Sequence, residues 1–126
     1  MQNLDTKKTK QSTDIRSRSY AFSIAVIRIC DGLPQKRSAW VIADQLIRSA
    51  TSIGANLVEG RASGSRLEFK RYYEIALKSA HETGYWLALL SDSKLCPRDV
   101  VTPLLEETQE FIKMLSAGVL KLKEKK

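Results

Sequence analysis

Serine, histidine and glutamate stand close together at Ser79, His81 and Glu82, the residue types of a nucleophile and its base, and the chain has no other histidine. On a helix, however, neighbouring residues diverge by about 100°, so His81 and Glu82 cannot serve one point in space. A di-iron bundle would need Glu-x-x-His on two helices and two further glutamates, whereas Lys78 stands three residues before His81. Cys30 and Cys96 are too few and too far apart for a zinc site or a disulfide framework and are read as reduced thiols. No catalytic residue, metal ligand or cofactor site is expected, and the chain is read as non-enzymatic.

Basic residues offer a different chemistry. Gly60-Arg61-Ala62-Ser63-Gly64-Ser65-Arg66 combines small residues, two arginines and a helix start, but lacks the Lys-Ser/Thr ending of a P-loop. An interhelical turn explains it better, with Arg61, Arg66, Lys70 and Arg71 available to an anion. Lys121, Lys123, Lys125 and Lys126 suit the negative end of a helix dipole and could equally meet phosphates. With a net charge of +7 and a pI near 9.6, RNA or DNA is the expected polyanion partner; a protein-interaction scaffold with incidental charge is the alternative.

Four amphipathic segments must position these groups. Asp14, with Thr13, caps a helix over residues 15–30 whose apolar side includes Ile15, Phe22, Ala25 and Ile29, and which Gly32 and Pro34 end through a left-handed cap. A second, over 38–59, carries the seam Ala39, Ala43, Leu46, Ala50, Ile53 and Leu57. Residues 60–64 form a loop, and Ser65 with Glu68 makes a capping box opening a third helix to residue 93, with seam Phe69, Tyr73, Ala76, Ala80, Thr83, Leu87 and Leu90. The fourth, over 98–122, carries Val101, Leu104, Thr108, Phe111, Leu115, Val119 and Leu122, with Pro103 near its first turn. Short connections make antiparallel neighbours, so the expected fold is all-α, an antiparallel up-down-up-down four-helix bundle. It is expected to span residues 13–123, between a flexible basic tail at 1–12 and a basic end at 124–126. The polar opening lacks the apolar centre of a secretory signal and no apolar run reaches membrane-spanning length, which predicts a cytoplasmic protein without a membrane partner.

Beside its apolar seam the second helix carries Gln45, Arg48, Ser52, Asn56 and Glu59 on one face, and the third answers with Glu68, Tyr72, Ile75, Ser79, Glu82 and Trp86. Serine and asparagine are poor helix formers, and an exposed tryptophan is costly, so a polar seam between helices or between subunits is favoured over two solvated faces. Gly54 and Gly84 inside predicted helices leave room for a close backbone approach, although each costs about 1 kcal/mol against alanine.

The stretch from Gln45 to Gly60, followed by Ser65, Glu68, Phe69, Ile75, Ala76, Ser79 and Glu82, resembles the bacterial four-helix bundle family of proteins encoded in 23S ribosomal RNA intervening sequences. The resemblance is close over the middle third of the chain and rests on pattern in the outer helices. It implies a homopentamer, similar to the accessory proteins of diversity-generating retroelements, whose basic surfaces contact nucleic acid and a reverse transcriptase. It implies no established biochemical activity. It also assigns Gln45, Arg48, Ser52, Asn56, Glu59, Ser79 and Glu82 to a polar seam or subunit contact. The chain departs from the family pattern at Gly54, where proline is common, and at Lys78, where glycine is common. Without the proline the second helix should be less kinked.

Overall fold

The computed structural model describes residues 14–124, which form four helices and, among the described residues, no strand. They are α1 (Ile15–Asp31), α2 (Arg37–Arg61), α3 (Arg66–Asp92) and α4 (Arg98–Glu124). No described helix is long and apolar enough to cross a membrane. The expected terminal tail at 1–12, the Thr13 cap, Lys125 and Lys126 lie outside the described residues.

Helix ends are fixed locally. The Asp14 carboxylate accepts the Arg16 N–H at 3.1 Å, and Ser65 Oγ accepts the Glu68 N–H at the same distance, each satisfying a donor that the helix leaves unpaired. The Glu68 carboxylate accepts from the Gly64 N–H at 3.2 Å rather than from Ser65, so the return arm of the expected capping box reaches one residue further back. Gly32 does not take the expected left-handed cap: its φ is −93°, and its N–H bonds to the Ile29 carbonyl at 3.0 Å in a tightened last turn. The left-handed conformation falls instead on Lys94 (φ 65°), letting the Leu95 and Cys96 N–H groups both turn back to the Leu90 carbonyl. Pro103 sits a turn deeper in α4 than expected. Its missing N–H deprives the Asp99 carbonyl of its helical donor, at a residue that is exposed.

Gly60, expected in the loop, is helical and buried in α2. A Cβ there would lie 2.9 Å from Tyr72 Cβ, so the missing side chain lets α3 cross close to the end of α2. Only 62–65 are left to connect the two helices.

The predicted seams become the core. Leu46, Ile53, Leu57, Leu87, Leu90, Phe111 and Leu115 are almost fully buried, each contributing about 1.5–3 kcal/mol relative to exposure. Neighbouring helices run antiparallel. Ser52 meets Ser79 while Ser49 meets Thr83 across α2 and α3, and Tyr73 covers Gly118 while Gly84 faces Thr108 across α3 and α4. α1 packs mainly on α2, where its Ser19 lies 3.0 Å from the position of a Gly54 Cβ, and touches α4 much less. Phe22 meets Phe111 edge-on at 5.2 Å, and the Arg18 guanidinium grips both oxygens of Glu107 at 2.9 and 2.6 Å.

Candidate functional site

Two regions gather the polar residues singled out in the sequence. The first is the junction of α2 and α3. Ser79 Oγ donates to Ser52 Oγ at 2.9 Å, and Asn56 Nδ2 donates to the Ser52 carbonyl and hydroxyl at 2.8 and 2.9 Å. One turn further, Thr83 Oγ1 lies 3.0 Å from Ser49 Oγ and also donates to the Ser79 carbonyl at 2.7 Å. The two helix stripes thus meet in a ladder of small hydroxyls, and no buried side-chain nitrogen or oxygen among the described residues lacks a partner.

Ser49 was not among the predicted stripe residues, although it stands three after Leu46 and four before Ile53, which is seam spacing. Gln45 is half-buried at the edge of the ladder. Arg48, Glu59 and Glu82 stay on the exposed side. Arg48 pairs with Asp44 of its own helix at 3.5 Å, and Glu82 accepts from the half-buried Trp86 Nε1 at 2.9 Å. Tyr72 is half-buried near Gly60, Ile75 is exposed beside Ser79 on the same face, and Glu68 is occupied at the α3 cap.

The second region is one end of the bundle. Antiparallel topology brings the start of α1, the 62–65 connection and the last turns of α4 to the same pole. Arg61, Arg66, Arg71, Lys121 and Lys123 are exposed there and form no ion pair with a described residue. Lys70 is held by Glu74 at 3.3 Å, and Arg16 by Asp14 at 3.3 Å. The backbone N–H of Arg16, with its guanidinium, keeps the Asp14 carboxyl below the usual range. Residues 14–124 hold sixteen Lys and Arg against thirteen Asp and Glu, so four of the seven net charges belong to residues 1–13 and 125–126, outside the described residues.

Alongside the pole opens a groove of roughly 420 Å³ between α1 and α2, walled by Tyr20, Ile24, Ile27 and Val58 and floored by Gly54 and Ala55. Nothing in the sequence analysis marked it. The only available signal was apolar residues on the outer side of α1, at positions 20, 24 and 27, in addition to its core side.

At the opposite pole Cys30 and Cys96 both pack into the core cluster as free thiols. Burial pushes the Cys30 thiol up to about 11 and raises that of Cys96. Among the described residues no three His, Cys, Asp or Glu side chains converge on a point that could hold a metal ion.

Residues 11–117 match the family model for the 23S rRNA-intervening sequence protein. The chain is also similar to a solved structure of a protein with unknown function from the S23 ribosomal protein family of Bacteroides thetaiotaomicron. The two share 31% identity with a TM-score of 0.78, over 83% of this chain and 97% of that one. No curated protein matches the chain.

Proposed function

The chain belongs to the 23S rRNA-intervening sequence protein family, and from that premise we propose that it is a non-enzymatic helical scaffold that binds RNA or DNA through its basic pole. The observation that carries this reading is the gathering of Arg61, Arg66, Arg71, Lys121 and Lys123 with the start of α1 and the last turns of α4 at one end of the bundle. Phosphate contacts of this kind release counterions and need no recognition helix.

The scaffold assembles with itself, as a homopentamer according to the family resemblance, through the outer side of the α2–α3 junction. Exposed Val41 and Ile75 beside Arg48, Glu59 and Glu82 give that face the mixture of apolar and charged groups found in subunit interfaces. The same scaffold could present its bound nucleic acid to a protein such as a reverse transcriptase. The competing reading, a protein-interaction module with incidental charge, is favoured by Trp40 and Tyr85, large aromatic side chains left mostly exposed away from the basic pole.

Fluorescence anisotropy with a structured RNA and a duplex DNA, titrated across salt after sizing by light scattering, tests the proposal. Binding should weaken steeply with salt, and the triple variant Arg61→Glu, Arg66→Glu, Arg71→Glu should lose it while Lys36→Glu, Arg37→Glu at the far pole keeps it. Absence of binding at low salt would overturn the nucleic-acid reading and leave the interaction module.

A further inference from the structure

We infer that the groove between α1 and α2 receives unpaired nucleotides, with Tyr20 as the stacking surface, so that the strand held by the basic pole is single-stranded. The inference rests on the nucleic-acid reading above and specifies the ligand for it.

Tyr20 is 72% exposed, more than the likewise exposed Trp40 and Tyr85, and unlike them it stands near the basic pole, on the helix that packs least against its neighbours among the described ones. Its ring stands at the basic end of the groove, where Arg16 belongs to the same lining. Val58 closes the α2 side there, and Arg61 follows it by one helical turn, on the side of α2 that faces α1. The floor is shallow because Ala55 raises only a methyl from α2, and the space beside Gly54 is filled by the small Ser19 side chain of α1. A planar base can therefore lie against Tyr20 with apolar walls on either side, and the groove volume falls within the ~300–1,000 Å³ usual for small-ligand clefts.

Polar handles are present as well. The Ser23 hydroxyl lines the groove and forms no hydrogen bond within the described residues, leaving it for a base edge. The Thr51 hydroxyl is taken by the Ile47 carbonyl at 2.7 Å and the Ser19 hydroxyl by the Arg16 carbonyl at 3.0 Å. Recognition is thus mainly by stacking and charge, with little sequence readout, the combination by which single strands are held. A duplex, whose bases are already stacked and paired, could use the arginines and lysines of the pole but not the groove.

The experiment compares wild type, Tyr20→Ala and Tyr20→Phe in anisotropy titrations with an unstructured oligouridine and with a duplex of equal length, over a salt series. Tyr20→Ala should weaken oligouridine binding roughly five- to a hundred-fold, the range lost with one base stack. Tyr20→Phe should retain it, duplex affinity should change less than about twofold, and the salt slope should stay the same because no phosphate contact is removed. In wild type, photocrosslinking with 4-thiouridine should label residues of α1 and α2 within the groove. Equal oligouridine binding by Tyr20→Ala, or crosslinks confined to the pole, would overturn the inference while leaving the nucleic-acid reading intact. A smaller mass for Tyr20→Ala in light scattering would overturn it differently, by showing that a second copy covers the groove. Failure of wild type to bind either ligand would instead defeat the reading on which it rests.

Discussion

Gly84 and Gly118 both occupy helix interiors, yet their surroundings make opposite demands. A Cβ at Gly118 would fall 2.6 Å from the Tyr73 ring, whereas one at Gly84 would touch only the Thr108 methyl at 3.7 Å. Gly118→Ala should therefore destabilise by about 1–3 kcal/mol through overpacking, while Gly84→Ala should stabilise by about 0.5–1 kcal/mol through lower unfolded-state entropy and better helix propensity. Urea denaturation monitored by circular dichroism at fixed protein concentration reads both. At Cys30 and Cys96 burial favours the neutral thiol, so folded-state proton affinity exceeds that of the unfolded chain. The sign follows: this contribution is fully present below the ordinary thiol pKa and is lost as pH rises through about 11 for Cys30. Both thiols should alkylate far more slowly with iodoacetamide at pH 8 in the native protein than in denaturant, and equal rates would refute their burial.

Among the elements α1 is the least secured. It lies against α2 through small residues and reaches α4 through Phe22 and the Arg18–Glu107 pair, with Arg18 also 5.9 Å from the Phe111 ring centre. The Glu107 carboxylate, hydrogen-bonded to the Arg18 guanidinium, holds it more firmly protonated despite partial burial. Arg18→Met should cost about 1–3 kcal/mol, as expected for a charged hydrogen-bonded pair largely shielded from water. In hydrogen exchange, α1 amides should already be less protected than those of α2 and α3, and the variant should widen that gap. Uniform protection across the four helices would contradict a loosely held α1. The α2–α3 pairing is secured differently, by the Ser49, Ser52, Ser79 and Thr83 ladder. Thr83→Val keeps the shape but removes the hydroxyl that meets Ser49 Oγ, leaving buried Ser49 with only its bond to the Leu46 carbonyl, and should cost about 1–2 kcal/mol.

For the whole molecule, the topology decides where charge accumulates. If three to five phosphates are neutralised at the basic pole, log affinity should fall with log salt at a slope of about −2 to −4, and the charge-reversal triple variant should flatten it. The helices and their core faces were legible in the sequence because seam spacing near 3.5 residues is a local property: Leu46, Ile53, Leu87, Phe111 and Leu115 are buried as their positions demanded. The caps at Asp14 and Ser65 were legible for the same reason, since each acts within three residues. What the sequence left undecided are relations between residues distant along the chain. Gly60 read as a loop residue because its need is set by Tyr72 of the next helix, and Ser49 was passed over because its partner is Thr83, thirty-four positions away. Of the predicted polar stripe, Ser52, Asn56 and Ser79 turn inward while Arg48, Glu59 and Glu82 remain outside, a division fixed by how closely α2 and α3 approach. The pole and the groove likewise exist only after folding. Local propensity and periodicity determined the four helices and their buried faces; antiparallel packing alone decided which charges and which unburied aromatic ring would share one surface.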